Sequence, residues 1–274
     1  MKLSIITINY NNREGLKKTI DSVINQTFRD FEYILIDGGS EDGSKEIILQ
    51  HEAQFSYWRS EKDHGIYNAM NKGILAAKGD YLLFLNSGDC LASNDILEQV
   101  FATPLKEDIV YGNLLFESQD GNHTLGIYPD ELNVYNVLEG SLPHPASFIK
   151  RQLFDNSLYT ESYRIVSDWE FWIKKIIMEG VSYKHISLTI SRFDTTGISS
   201  NSQRCNKERE LVLQRLFPRM IYTELMSWYE IKSQPCFPLF KEISKTKKFQ
   251  RRIQPLIRTM LKIHLFFTRK KKNP

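Results

Sequence analysis

Phe31-Glu32-Tyr33-Ile34-Leu35-Ile36-Asp37-Gly38-Gly39-Ser40-Glu41-Asp42-Gly43-Ser44 passes from an apolar run into a break of glycines and acids, then into Ile47, Ile48 and Leu49 at helical positions. The stretch reads strand, loop, helix, and its neighbours repeat that order. Upstream, residues 2–9 are an Ile-rich run ended by Asn11-Asn12, and residues 15–25 carry Leu16, Ile20, Val23 and Ile24 at helical spacing. Downstream, Tyr57-Trp58-Arg59 reads as a short strand and residues 66–77 as a helix ending before Gly79. Residues 81–85 then form an apolar strand bounded by Asn86-Ser87-Gly88-Asp89. Alternation of this kind predicts an α/β domain with a mostly parallel central sheet covered on both faces. Ligands of such sheets bind beyond the carboxyl ends of the strands, which directs attention to Asp37 and Asp89. Further along, residues 109–116 read as a strand, Leu142-Pro143-His144-Pro145 as a constrained loop, residues 168–178 as an amphipathic helix and residues 183–190 as a closing strand.

The chain has 274 residues, 41% of them hydrophobic, enough for one large core and a smaller appendage. Its start runs straight into a strand pattern without a secretory signal, so the expectation is a cytoplasmic protein. No apolar run reaches the ~20 residues of a membrane-crossing helix. Cys90, Cys205 and Cys236 lack the paired spacing of a zinc site and read as incidental thiols. The charge of +3 is unevenly spread. From position 241 onward twelve Lys or Arg face Glu242 alone, a net of +11, which leaves −8 for residues 1–240. A basic tail on an acidic body suggests an anionic partner for the tail.

The loop from Asp37 to Ser44 has glycines that let backbone approach a ligand and acids that accept hydrogen bonds. A glycine-rich turn with an ordinary helix cap explains it equally well. It matches neither the phosphate loop nor the dinucleotide fingerprint, which disfavours ATP hydrolysis and NAD binding. Asn86-Ser87-Gly88-Asp89 offers oxygens to a hard divalent ion or forms a structural turn. Asp168 opens a helix, as a cap or as a general base. His144, between two prolines, reads as a turn residue, a ligand or an acceptor contact.

Taken in order, several segments resemble the inverting family-2 glycosyltransferases, whose nucleotide-sugar domain has the GT-A fold. They are Ser4-Ile5-Ile6-Thr7-Ile8-Asn9-Tyr10-Asn11, Ser22-Val23-Ile24-Asn25-Gln26-Thr27, Ile36-Asp37-Gly38-Gly39-Ser40-Glu41-Asp42-Gly43-Ser44, Ser60-Glu61-Lys62-Asp63-His64-Gly65-Ile66-Tyr67-Asn68-Ala69-Met70-Asn71-Lys72-Gly73, Gly79-Asp80-Tyr81 leading to Asn86-Ser87-Gly88-Asp89, His144-Pro145-Ala146-Ser147-Phe148 and Ser167-Asp168-Trp169-Glu170-Phe171. The resemblance implies a GT-A catalytic domain over residues 1–200 and a helical basic extension over residues 201–274. It implies that Thr7, Asn9, Asp37 and Gly38 hold the nucleoside, with Asp37 accepting from the base, and that Asp63 borders the donor pocket. Asn86-Ser87-Gly88-Asp89 stands in the place of the family's Asp-x-Asp motif, which binds ribose and a divalent metal on the diphosphate, so Asn86 and Ser87 are implied donor contacts. Asn86 and Gly88 occupy the positions of its two acids, so Asp89 is left as the ligand for Mn2+ or Mg2+. Asp168 matches the family's catalytic base, with Ser167 in place of the common Glu and Glu170 as a fallback.

The implied reaction moves a sugar from a nucleoside diphosphate sugar, a uridine nucleotide before a thymidine or guanosine one, to a hydroxyl of a glycan or lipid-linked acceptor, as in surface polysaccharide or glycolipid assembly. A nucleotidyltransferase would need an early Arg- and Lys-containing glycine loop, which Asn9-Tyr10-Asn11-Asn12 is not; a non-catalytic nucleotide-sugar sensor is the other alternative. The tail mixes Arg251, Arg252, Arg258 and Lys262 with Ile253, Leu256, Ile257 and Leu261, the composition of an interfacial segment on anionic lipid. That would make the protein peripheral at the inner face of a membrane. No nucleic-acid module frames the basic run, so no nucleic-acid partner is expected.

Overall fold

The computed structural model describes residues 1–118, 121–195 and 202–270. Its first half is the expected alternation: β1 (Leu3–Asn9), α1 (Arg13–Ile24), β2 (Phe31–Asp37), α2 (Ser44–Gln50), β3 (Tyr57–Ser60), α3 (Ile66–Ala76) and β4 (Tyr81–Phe84). These four strands pair in parallel in the order β3-β2-β1-β4. The apolar residues of β1 and β4 are buried on both faces, the signature of central strands. α1 packs Leu16, Ile20 and Val23 into the same core as Leu3, Ile5, Leu35 and Leu83. Each such side chain contributes roughly 1.5–3 kcal/mol on burial.

The second half adds β5 (Cys90–Leu91), α4 (Ile96–Phe101), β6 (Ile109–Glu117), β7 (His123–Gly126), α5 (Val134–Glu139), β8 (Ser147–Lys150), α6 (Ser167–Trp172) and β9 (Tyr183–Asp194). The described sheet runs β3-β2-β1-β4-β8-β6-β9-β5, with β7 beside β6. Parallel pairing therefore holds from β3 to β4 and again between β6 and β9, whereas β8, β7 and β5 join antiparallel, so the sheet is mixed. The segment at Pro143 and Pro145 turns through a 3-10 helix, His144–Ala146, and leads into β8, a strand too short to announce itself in the sequence. The helix expected over 168–178 is α-helical only to Trp172; Ile173–Met178 widens into a π-helical turn. β9 continues past Ile190 to Asp194 between β6 and β5.

The register decides what meets at the sheet's carboxyl edge. Asn9 of β1 pairs with Asp37 of β2, and Asp37 with Ser60 of β3, so three polar residues stand in one row.

The chain divides into two compact units, Met1–Glu210 and Leu211–Pro274. The junction expected at 200–201 lies outside the described residues. α7 (Ser202–Leu216) runs across the division, and α8 (Arg219–Ser233), α9 (Phe237–Ser244) and α10 (Lys247–Lys270) make up the second unit, which is helical. Among the described residues no helix is long and apolar enough to cross a membrane.

Candidate active site

Asp37 ends β2 with no exposure to solvent, and five donors converge on its carboxylate. Asn9 Nδ2 (2.8 Å) and Ser40 Oγ (2.6 Å) donate to Oδ1. The Gly39 and Ser40 backbone N–H groups (3.2 and 3.0 Å) and Ser60 Oγ (2.7 Å) donate to Oδ2. Burial alone would raise its pKa, but the hydrogen bonds from Ser40, Ser60 and Asn9 outweigh burial and hold it below the ordinary value. Both oxygens of Asp37, the expected acceptor from a base, are engaged within the chain. Its carboxylate instead fixes the loop that follows β2.

Thr7 lies deeper in the sheet. Its hydroxyl pairs with the Tyr33 phenol at 3.1 Å inside the layer, where Tyr33 needs a partner, and its side chain is fully buried short of the loops. Asn9 does reach the edge: besides Asp37 it donates to Ser40 Oγ, while its Oδ1 is buried without a partner.

Gly38 and Asp63 are brought together. A Cβ on Gly38 would lie 2.6 Å from Asp63 Oδ2 and 3.1 Å from the ring of Tyr10, so only a glycine lets these groups close on the loop. Asp63 Oδ1 accepts from the Gly65 N–H, and the Tyr10 ring is 66% exposed at the lip. Asn11, at φ 48°, ties the first loop to the second: its N–H donates to Ser40 Oγ and its Oδ1 accepts from the Glu41 N–H. Gly38, Tyr10 and Asp63 thus meet next to Asp37, the central residue of the row Asn9-Asp37-Ser60.

The loop after β4 is pinned to α1. Asn12 Nδ2 donates to the Ser87 carbonyl, and Thr19 Oγ1 donates to the Asp89 carbonyl while accepting from the Gly88 N–H. Asp89 is only 3% exposed and its Oδ1 accepts from the Asp194 N–H at 3.1 Å. Burial, joined by the neighbouring Asp194 carboxylate, pushes its pKa up to about 7. Asp194 Oδ2 stands 3.1 Å from where a Gly88 side chain would begin, so β9 supplies in space an acid that the Asn86-Ser87-Gly88-Asp89 loop lacks in sequence. Asn86 Oδ1 is buried nearby in the chain without a partner. Among the described residues no three His, Cys, Asp or Glu are placed to hold a metal by themselves. The neighbouring carboxylates of Asp89 and Asp194 are oxygen donors of the kind that suits an ion arriving on a diphosphate and keeping part of its water.

Asp168, in the first turn of α6, receives the Tyr67 hydroxyl on Oδ1 at 2.7 Å across 101 positions of sequence. Tyr67 is 4% exposed; burial first, then the charge of Asp168, raises its pKa far above the ordinary value, so it remains a donor. The same helix, α3, secures the segment ahead of Asp168. Asn71 donates to the Tyr159 carbonyl and accepts from the Tyr159 N–H, and Asn68 and Asn71 both donate to Glu161. Ser167 accepts from the Thr160 N–H at 2.6 Å, so the residue that departs from the family pattern ties down the same segment. Glu170 is buried, takes a hydrogen bond from Thr160 Oγ1 and pairs with Lys174, which removes it as a fallback base. His144 stacks on Phe84 at 4.7 Å and pairs with Tyr159 Oη at 2.8 Å. Burial lowers its pKa, so it is a neutral part of an aromatic wall.

The sequence reading missed Tyr67, Asn71, Ser60 and Asp194. The available signal was Tyr67 and Asn71, polar groups four apart in a helix whose buried residues also include Met70 and Ile74.

The family model described as glycosyl transferase family 2 matches residues 4–157. An uncharacterized glycosyltransferase of Mycobacterium tuberculosis is 34% identical over 209 residues, covering 73% of this chain and 78% of that protein. Among solved structures, Staphylococcus aureus TarS 1–349 aligns with a TM-score of 0.61 at 17% identity, over 78% of this chain and 64% of that one. A mannosyltransferase, PcManGT from Pyrobaculum calidifontis in complex with GDP-Man and Mn2+, aligns with a TM-score of 0.57 at 14% identity, over 78% and 63%. The chain therefore spans less than two thirds of either solved structure, and at these identities the likeness is one of fold.

Proposed function

This chain belongs to glycosyl transferase family 2, and from that premise we propose that it is an inverting transferase of a sugar from a nucleoside diphosphate sugar, a uridine one, to a hydroxyl of a glycan or lipid-linked acceptor. The observation that carries the reading is the link through α3. This helix follows directly on the Asp63-His64-Gly65 loop of the donor pocket, and its Tyr67 hydroxyl ends on Asp168.

In this reading the base lies where Tyr10, Gly38 and Asp63 meet: Tyr10 presents an aromatic face and the Gly38 backbone allows close approach. Asp63 Oδ2, directed at Gly38, is the acceptor for a base N–H, while Asp37 keeps the loop in shape. Asp89, with Asp194 beside it, would hold Mn2+ or Mg2+. Such an ion, when bound, neutralises charge on the departing diphosphate. Asp168 takes the proton of the acceptor hydroxyl at Oδ2 as the acceptor oxygen bonds to the anomeric carbon. The bond from that carbon to the diphosphate oxygen breaks on the opposite face, so configuration inverts without a covalent enzyme intermediate. Tyr67 fixes the carboxylate by its other oxygen. The direct test is calorimetric titration with uridine, thymidine and guanosine diphosphates, with and without Mn2+. Metal-enhanced binding of the uridine nucleotide is expected; absence of binding by all three would remove the donor site.

Two substitutions probe the parts. Gly38→Ala is expected to weaken nucleoside diphosphate binding severalfold without loss of stability, since the methyl pushes the end of Asp63 or the exposed Tyr10 ring off the positions they hold over the loop. Unchanged affinity would show that the base lies elsewhere. Tyr67→Phe is expected to lower kcat about tenfold, the worth of one hydrogen bond to a charged group, and to leave nucleotide affinity unchanged. Introduced together with Asp168→Asn it should have almost no further effect on kcat; additive losses would mean that Tyr67 acts independently of Asp168.

A further inference from the structure

α10, Lys247–Lys270, contains no acidic residue. At ~100° per residue, Phe249, Ile253, Leu256, Ile257, Met260 and Leu261 fall within an arc of about 140°. Lys247, Lys248, Arg251, Arg252, Arg258 and Lys262 fall within an opposite arc of about the same width. Pro255 lies on the basic side, and over residues 247–262 Gln250, near one edge of the apolar arc, is the polar residue within it. That strip is not buried: Leu256 is 65% and Met260 70% exposed, and Phe249 and Leu261 are also exposed. The helix is too polar to cross a bilayer.

A helix with apolar and cationic strips and no acid fits a boundary that is apolar below and anionic above. We propose that α10 docks the protein on the surface of an anionic phospholipid bilayer. Its axis lies in the plane of the membrane, the Phe249-Leu256-Met260 strip enters the acyl boundary and the Lys and Arg side chains reach the phosphate level. Charge complementarity selects the occupant. Six cations along one strip are attracted by anionic headgroups, whereas a nucleic acid would use those cations and leave the apolar strip in water. This inference does not rest on the transferase reading.

The test is sedimentation of the full-length protein with vesicles of phosphatidylcholine alone and with an added phosphatidylglycerol fraction. Wild type is expected to bind only the anionic vesicles. Leu256→Ser with Met260→Ser, and separately Arg251→Glu with Arg252→Glu, are each expected to weaken that binding by about tenfold or more. The thermal unfolding midpoint and circular dichroism spectrum, measured in parallel, should stay at the wild-type values and so report an intact fold. No wild-type binding to anionic vesicles, or binding that survives both variants, overturns the proposal. It is equally overturned if the serine variant binds vesicles like wild type while the charge variant loses both vesicles and single-stranded RNA, the signature of a nucleic-acid surface.

Discussion

Asp168→Asn is expected to lower kcat/KM for sugar transfer by about two to four orders of magnitude, the usual worth of a positioned general base. The amide cannot take up the acceptor proton, but its carbonyl oxygen can still accept from Tyr67, so the first turn of α6 and the α3 link remain in place. Nucleoside diphosphate affinity and Tm should therefore match wild type, and the whole effect should lie in turnover. Steady-state kinetics with a competent donor and acceptor, alongside calorimetry, check this. Retention of full activity would remove Asp168 as the base. Glu170 could not take its place from within its pairing to Thr160 and Lys174.

Asp37→Ala is expected to abolish measurable nucleotide binding and to destabilise the first unit by about 3 kcal/mol or more, because donors from Asn9, Gly39, Ser40 and Ser60 lose a shared buried acceptor. Asp37→Asn should recover only part of this, since one end of the amide presents hydrogens to groups that are themselves donors. The pH dependence has a definite sign. Asp37 is held below its ordinary value of 3.8, so its contribution is complete above that value and is lost as pH falls through the still lower value of the folded state. Urea unfolding of wild type should accordingly lose stability on the acid side more steeply than the alanine variant does, with parallel behaviour near neutrality. If the variant bound nucleotide with wild-type affinity, Asp37 would have no part in shaping the pocket.

The parallel half of the fold was readable because β1, β2 and β4 are buried apolar runs separated by glycine- and asparagine-rich breaks, and each is followed by a helix or loop with a recognisable start. β5 and β8, at two and four residues, carry too little pattern to announce themselves. They form because β9 and β4 offer open edges in the assembled sheet. In the same way, Asp37 and Asp168 were visible as acids at a strand end and a helix start, while what each one does was not.

By itself the sequence determined the order of strands and helices in the parallel half, the carboxyl edge as the place to look, the acids standing there and the separation of a basic tail from an acidic body. Those properties are local: they follow from periodicity, turn chemistry and net charge over short windows. Only the tertiary structure decided that Asp37 is saturated by its neighbours, that Thr7 is spent on Tyr33, that Tyr67 reaches Asp168, and that Asp194 stands beside Gly88 where the loop's own acids are missing. Each of these joins residues far apart in the chain, brought together by strand register and helix packing, and no local pattern encodes which distant donor will meet which buried acceptor.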